Sequence, residues 1–497
     1  MNPSPSSLAS VLDAPLSNPA TIPAGAPRSA DVLSASALQA PGKGGRFARL
    51  PLLAGRSFIP LGLFARLPLA MLTVGALTLV TAVTGSYAVG GAAAGAVGIG
   101  SALGAPILGV LADRLGQRGV LLVSAIANTV AIVALILAAY LIPGAQDLAA
   151  AVPVLAAGFV AGASCPQVGP LARVRWMALT SRTSGAGRGT AANAADLDTA
   201  LSYESTADEL TFVLGPALVG VLASLLAPWL PLALAAALTV VLVPAFAVHP
   251  THHAVVRTSS RQDKGRQDTG RQAAGSQTPE RPAAGSAAGV AGERHPGGRP
   301  AAQRARTLAA VALPVLAMVC MGTFFGSTQA SLSSFSAGFA TSELAGLLYA
   351  VMGVSSAAAA LSVAYWSQRF TVNARWIACA ALMAGLAALL LLPSTALPMI
   401  LVLLVLGLPV GPLMVTVFAI GGLVAPAGKL GTVMTALASG IVAGTALGSS
   451  IAGQLAQNYG YSTAFLVPVC AATALFLLGT AAAVVLRQRG RKTVPAA

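Results

Sequence analysis

Twelve apolar segments, each long enough to cross a bilayer, restrict what this chain can fold into. A transmembrane helix needs about 20 predominantly apolar residues, and the segments form two groups of six. They lie near residues 63–86, 91–111, 120–142, 148–171, 205–226 and 229–248, and then near 307–332, 344–366, 374–392, 397–421, 430–455 and 463–486. We therefore expect an all-α polytopic membrane protein with twelve transmembrane helices in two six-helix halves, a 6+6 inverted-repeat bundle.

The composition supports the same interpretation. Charged residues make up 9% of the chain and hydrophobic residues 56%, whereas soluble domains carry about 25% charged residues. An ordinary cytosolic enzyme is therefore excluded. The net charge of +15 is concentrated in the tails and one internal loop, so it does not predict a nucleic-acid-binding surface.

The less hydrophobic stretches give the domain boundaries. Residues 1–60 are rich in Ser, Pro and Ala and lack the basic and apolar regions of a signal peptide, which predicts a disordered cytoplasmic tail. Residues 249–306 are of low complexity and predict a disordered cytoplasmic loop. The two six-helix halves are then 61–248 and 307–486, and residues 487–497 form a basic cytoplasmic tail.

The distribution of Lys and Arg predicts the orientation. Basic residues occur in the connections on one side of the membrane, and the six connections on the other side contain none. Because basic loops stay inside, we expect a multi-pass protein of the inner (plasma) membrane, with both termini in the cytoplasm and anionic lipids near the basic face. The basic residues of these loops are Arg114, Arg118, Arg173, Arg175, Arg182, Arg188, Arg369, Arg375 and Lys429.

Neither catalysis nor a resident cofactor is expected. The connections on the outside are too short for a catalytic domain, and no phosphate-binding GxxxxGK[ST] motif is present. His249, His252 and His253 are close together, but a solvated turn past a helix end explains them better than a metal site. We expect neither an enzyme nor a metalloprotein.

The turn after the second segment carries the most informative pattern, Gly109-Val-Leu-Ala-Asp113-Arg114-Leu-Gly116-Gln-Arg118. An aspartate at the carboxyl end of a helix opposes the helix dipole at a cost of about 0.3–1 kcal/mol, so Asp113 is expected to have a partner on another helix. Gly109 leaves room for close approach of that helix. Gly116 permits a tight turn that returns Arg114 and Arg118 toward the membrane surface. The alternative is an ordinary basic turn with a solvated aspartate.

This pattern resembles the GxLaDrxGrr motif of the major facilitator superfamily, and the chain looks like a bacterial, exporter-like member over roughly residues 61–486. The resemblance implies that Asp113 stabilises a gate by reaching the amino end of helix 11 near Gly431 and Thr432. It also implies secondary transport of a small molecule by alternating access. The counterpart in the second half, from Ser367 to Arg375, lacks the acid. The residues that match the motif are Gly109, Leu111, Asp113, Arg114, Gly116 and Arg118.

Three acids on the fifth helix are candidates for proton coupling. Glu204 and Asp208 share a helix face, whereas Glu209 points about 100° away from Asp208. Two acids at this spacing repel each other, so we expect the pair to bind one proton between them, with Glu209 less important. The alternative is that the acids neutralise nearby arginines such as Arg173 or Arg175.

The rest of the fifth helix and two glutamines complete the candidate site. Gly215, Pro216 and Gly220 partly resemble a glycine-proline signature of exporter fifth helices, and they predict close packing and a bend near the midplane. Gln167 on helix 4 and Gln329 on helix 7 are candidates for the substrate cavity, although Gln329 also fits a helix boundary.

The sequence therefore predicts proton-coupled export of an amphipathic or drug-like compound by an antiporter. Its partners would be the small-molecule substrate, protons and the lipid bilayer, without nucleic acid. Uptake of a polar metabolite is the first alternative. A non-transporting membrane sensor or scaffold is the second, and it leaves the acids of the fifth helix without a role.

Overall fold

The computed structural model describes residues 45–141, 150–184, 190–255, 299–337, 343–367 and 369–491. These residues form helices and no strands, and twelve helical spans have the length and hydropathy of membrane-crossing helices. The fold class predicted from sequence is confirmed, and the protein is a multi-pass membrane protein. The spans are α1 (Phe58–Thr84), α2 (Val89–Leu115), α3 (Gln117–Leu141), α4 (Val152–Ser181), α5 (Ala192–Leu225), α6 (Leu230–Val248), α7 (Leu308–Ser336), α8 (Gly346–Tyr365), α9 (Val372–Leu391), α10 (Ala396–Val424), α11 (Leu430–Tyr459) and α12 (Tyr461–Val484).

The helix is interrupted in α1 and in α4 next to polar side chains. α1 is interrupted before Leu67, where Arg66 donates from Nε to the Gly62 carbonyl at 2.8 Å. α4 is interrupted between Ala163 and Val168, where Gln167 donates to the Cys165 carbonyl at 2.9 Å. Backbone groups freed inside a membrane must find partners within the protein. At these two breaks, the side chains of Arg66 and Gln167 provide such partners by donating to backbone carbonyls.

Several predicted boundaries differ in the structure. Residues 45–60, predicted as part of a disordered tail, are folded: Arg46–Arg49 and Leu50–Ala54 are short helices, and Leu50 is buried. Pro250–Ala254 forms a 3₁₀ turn, and the first helix of the second half begins at Arg299, both within the predicted loop. The last helix continues to Arg491 in the predicted basic tail. Residues 1–44, 256–298 and 492–497 lie outside the described residues.

The fourth and fifth spans are longer than hydropathy predicts. Arg173 and Arg175 lie inside α4 rather than in a loop, and both side chains are fully buried. Glu204 and Asp208 lie well inside α5 rather than at its start. An apolar-run criterion ends a span at the first charges, so it misses charged residues that compensate one another within the bundle. Arg182 and Arg188, predicted in the same loop, lie outside the described side chains and residues.

The two halves meet along α2 with α11 and along α5 with α8. α5 also packs against α10, and α4 against α11. The connections between α2 and α3, α8 and α9, and α10 and α11 lie at the same end of the bundle. We call it the basic end, because it carries the exposed side chains of Arg114, Arg118, Arg369 and Lys429.

Candidate functional site

Asp113, at the carboxyl end of α2, binds the amino end of α11. Its carboxylate accepts hydrogen bonds from the backbone nitrogens of Gly431, at 2.9 Å, and Thr432, at 2.7 Å, and from the Thr432 hydroxyl at 2.7 Å. The first turn of a helix offers unpaired N–H groups and a partial positive charge, so this position stabilises a carboxylate. The partner expected for Asp113 is confirmed, and its role in gating remains a prediction.

The glycines of the motif explain how this contact forms. A Cβ at Gly109 would lie 2.9 Å from the Gly431 carbonyl oxygen and would collide with Thr435. Gly116 has a φ of 95°, a left-handed conformation that glycine adopts without strain. Arg114 and Arg118 are exposed, and neither forms an ion pair within the described residues. The contact between the halves is therefore made by Asp113 and not by the arginines.

Asp113→Asn is expected to weaken closure of the basic end without unfolding the protein. The substitution keeps the shape but removes the charge at the helix terminus, at a cost of about 1–2 kcal/mol. We expect the ratio of closed to open states to fall roughly tenfold, with slower transport and faster labelling of a cysteine placed at the basic end. Arg114→Gln, an exposed charge on the same turn, is the control. Labelling and transport equal to those of the wild type would mean that Asp113 is only a helix cap.

A second contact between the halves at the basic end joins Asp198 of α5 to Arg375 of α9. Arg375 Nη1 lies 3.0 Å from Asp198 Oδ2, and its Nε donates to the Phe370 carbonyl at 2.7 Å. The second-half counterpart of the motif lacks an acid, and the structure supplies the acid from the first half instead. The sequence did not predict this pair, although Asp196 and Asp198 are the two acids that directly precede Glu204 in the chain.

The segment before α1 also contacts both halves. Arg46 donates to the Ala364 carbonyl of the second half and lies over the Tyr365 ring. Arg49 forms an ion pair with Asp196 of α5 at 3.2 Å. Residues 46–49 therefore bridge the interface between the halves at the basic end.

A buried charge cluster occupies the first half. Arg66 binds Glu204 at 2.6 Å and Asp208 at 2.8 Å. Arg173 binds the other oxygen of Asp208 at 2.6 Å, and Trp176 donates from its indole nitrogen to Glu204 at 2.8 Å. Both carboxylates are therefore bonded through both oxygens, and two positive charges balance two negative ones.

This geometry corrects the repulsion expected between Glu204 and Asp208. Arg66 lies between the two acids and binds both, so their mutual repulsion is compensated, and a proton shared by the pair stays a prediction. The alternative interpretation, neutralisation by arginines, describes the cluster, and one of the predicted partners, Arg173, belongs to it. Arg66 was missed because it lies at the edge of an apolar segment. The signal that could have identified Arg66 is a single ionisable residue inside an apolar segment.

Arg175 has a different environment, because no carboxylate among the described residues forms an ion pair with it. Its Nε donates to the Gln117 side chain at 2.9 Å, and its Nη1 donates to the Phe246 carbonyl at 2.7 Å. The carboxyl end of α6 carries a partial negative charge, so Arg175 links α3, α4 and α6. Burial, with Arg175 nearby, lowers the pKa of His249, which keeps that ring neutral.

Glu209 faces away from the cluster and toward the second half. The carboxyl group is buried and accepts a hydrogen bond from the Ser356 hydroxyl of α8 at 2.8 Å. Within the described residues no cation forms an ion pair with it. It differs in this respect from Glu204 and Asp208, and of these three acids it is the one that contacts the second half.

The glycine-proline segment of α5 agrees with its prediction in part. A Cβ at Gly215 would lie 2.7 Å from that of Ala70 in α1, so this glycine permits close packing. Gly220 faces open space, and close packing there was wrong. The helix continues through Pro216 to Leu225. The bend stays a prediction.

Among the described residues, a smaller and a larger cavity lie between the halves. The smaller, of about 60 Å³, adjoins the charge cluster and is lined by Arg66, Arg173, Asp208 and Gln167 among others. The larger, of about 530 Å³, lies at the basic end next to Asp113. Gln167 therefore reaches a cavity as expected, whereas Gln329 is exposed and lines neither of the two.

Two helical halves that enclose a small cavity beside buried charges form the architecture of a secondary transporter of a small molecule, not of an enzyme. The family model of the Major Facilitator Superfamily matches residues 58–439 and 312–496. The chain belongs to the Major Facilitator Superfamily.

Solved structures support the same fold at low sequence identity. The human organic anion transporter MFSD10 is 18% identical with a TM-score of 0.57, over 85% of this chain and 98% of that one. The E. coli fucose:proton symporter FucP is 14% identical with a TM-score of 0.55, over 86% and 99%. A bacterial homologue of the iron transporter ferroportin is 13% identical with a TM-score of 0.57, over 86% and 98%. No curated protein sequence matches the chain.

Proposed function

We propose that this transporter is a proton-coupled exporter of an amphipathic compound, an antiporter of the plasma membrane with both termini in the cytoplasm. The observation that carries the proposal is the buried carboxyl group of Glu209, which has a hydroxyl but no described cation beside it. Proton coupling needs a group whose charge is changed by one proton. The acids of the charge cluster are already compensated by arginines, so Glu209 is the better candidate.

The position of Glu209 links its proton to the movement of the halves. A buried, unpaired carboxylate costs several kcal/mol, and binding a proton removes that charge. Ser356, its hydrogen-bond partner, belongs to the opposite half, so the contact must change when the two halves separate at this level. Proton binding and the conformation of the transporter would then depend on each other.

Export is supported by the glycine-proline segment of α5 and by the predominantly apolar walls of the smaller cavity. The resemblance of Gly215 and Pro216 to the exporter signature, together with the close packing of Gly215 on α1, favours this direction. Uptake of a polar metabolite remains the alternative, and one structural neighbour is a fucose:proton symporter. A scaffold without transport activity would not need a buried acid between its halves.

Glu209→Gln is expected to abolish transport driven by a pH gradient while it preserves exchange of substrate between equal compartments. Glutamine keeps the size and the hydrogen bond to Ser356 but carries no titratable charge. The measurement is substrate-dependent proton flux in liposomes with an imposed pH gradient, followed by exchange without a gradient. Proton entry coupled to substrate exit would support export, and entry of both together would support uptake.

Asp208→Asn and Ser356→Ala serve as comparisons for Glu209→Gln. Gradient-driven transport that survives Glu209→Gln but is lost in Asp208→Asn would move the coupling site to the charge cluster. Ser356→Ala is expected to keep coupling, because it leaves the carboxyl group in place.

Single cysteines should report the orientation in a version without Cys165, Cys320, Cys379 and Cys470. We expect an impermeant reagent added outside cells to label Pro228→Cys and Tyr459→Cys, at the end without basic residues. Gly119→Cys and Ala427→Cys, at the basic end, should remain unlabelled until the membrane is permeabilised. The reverse pattern would show that the basic end faces outward.

A further inference from the structure

Two residues that line the smaller cavity carry polar groups that lack partners among the described residues. Arg173 and Ser439 both line it, Arg173 from α4 and Ser439 from α11 of the other half. The Nε–H of Arg173 and the hydroxyl of Ser439 are buried without a hydrogen-bond partner among the described residues. A buried polar group without a partner costs about 1–3 kcal/mol, which a ligand with hydrogen-bond acceptors would recover.

The same cavity has little to offer a cation. Asp208 is the only acid among its described lining residues, and each of its oxygens already accepts from a guanidinium group. A cationic ligand would have to displace Arg66 or Arg173 from that carboxylate. An anionic ligand would meet a free donor on Arg173 without breaking an ion pair.

The other residues that line the cavity are mostly apolar, so they favour a ligand with an apolar part next to its polar group. Phe212, Phe418, Ile441 and Val442 form part of the wall, and the Phe418 ring lies 3.8 Å from the guanidinium carbon of Arg173. Gly169 also lines the cavity. A Cβ at this position would lie 3.3 Å from Asp208 Oδ1 and 3.7 Å from Arg173 Nη1, so a larger residue would occupy space beside these two side chains. The cavity thus combines hydrogen-bond donors with an apolar surface.

From these contacts we infer that the substrate is an amphipathic organic anion whose carboxylate binds between Arg173 and Ser439, with its apolar part against the two phenylalanines. This inference rests on the proposed transport function and specifies its substrate class. Because the two binding residues belong to different halves, the anion would bind across the interface between them. Contact at Nε would leave the ion pair between Arg173 Nη2 and Asp208 intact, and the cavity of about 60 Å³ would have to widen between the halves to admit the apolar part.

The test compares three probes with the same aromatic group and different charge. Naphthylacetate, its uncharged methyl ester and the cationic naphthylethylamine are added to the purified full-length protein, and the shift in unfolding temperature is measured at each concentration. We expect naphthylacetate to stabilise the protein most. Ser439→Ala should weaken its binding about tenfold, because one hydrogen bond to a charged group is lost. Ser449→Ala, on the same helix but outside the cavity lining, is the matched control.

Each result decides for or against the inference. Equal or greater stabilisation by the ester or the amine, or no stabilisation by any of the three probes, would overturn it, as would naphthylacetate binding that is unchanged in Ser439→Ala. Arg173→Lys should also weaken naphthylacetate binding, and Ser439→Ala gives the answer if that variant does not fold. Naphthylacetate that binds as expected but is not moved by a pH gradient would keep the substrate class and reject proton coupling.

Discussion

Arg66→Gln is expected to abolish transport and to reduce the stability of the protein strongly. Among the described residues, removing this side chain leaves Glu204 without an ion-pair partner and Asp208 with Arg173 alone, in a part of the bundle where the side chains are buried. Breaking a buried ion pair by removing one partner costs about 3–5 kcal/mol. The measurements are the unfolding temperature of the purified protein and transport in liposomes.

Two further variants separate stability from transport in the Arg66 experiment. Arg369→Gln removes an exposed arginine and should resemble the wild type. Combining Arg66→Gln with Glu204→Gln should recover much of the stability, because the carboxylate that loses its cation is also removed, but transport should stay low. A fully active Arg66→Gln protein would mean that the cluster is neither structural nor functional.

Gly109→Leu is expected to prevent closure of the basic end. Any side chain at this position would collide with Thr435 and approach the Gly431 carbonyl oxygen, both on α11. Overpacking of this kind costs about 1–3 kcal/mol, and the cost falls on the closed conformation, because there α2 and α11 touch. We expect transport to be lost and cysteines at the basic end to be labelled in most molecules.

Gly95→Leu is the matched control, because Gly95 also lies on α2 but faces open space. It should leave transport and labelling close to those of the wild type. If Gly109→Leu transports normally, the close approach of the two helices at this point is not needed during the cycle.

The features that the sequence predicts correctly are determined within one helix or by the thickness of the bilayer. The twelve spans follow from hydropathy. The helix dipole indicates that Asp113 needs a partner on another helix, and the resemblance to the family implied that this partner is the amino end of α11. The positive φ of Gly116 follows from the tight turn in the same way.

Side-chain pairing across helices could not be predicted in this way. A helical projection gives the angle between Asp208 and Glu209 but not what each one faces, so Glu209, which contacts the second half, was ranked below the pair bound by Arg66. The ends of α4 and α5 were misplaced for the same reason, since charges that neutralise each other inside a bundle look like loop charges when each helix is considered alone. The exposure of Gln329 also depends on tertiary packing.

The bridge formed by residues 46–49 has a consequence for the mechanics of the protein. Arg46 contacts the second half and Arg49 the first, so a rotation of one half against the other must detach the segment from one of them. Leu50, directly after it, is buried and fixes the segment to the first half. Residues 46–50 are therefore expected to move with the first half, and a fluorophore on Arg46→Cys paired with one on Tyr365→Cys would follow each opening in real time.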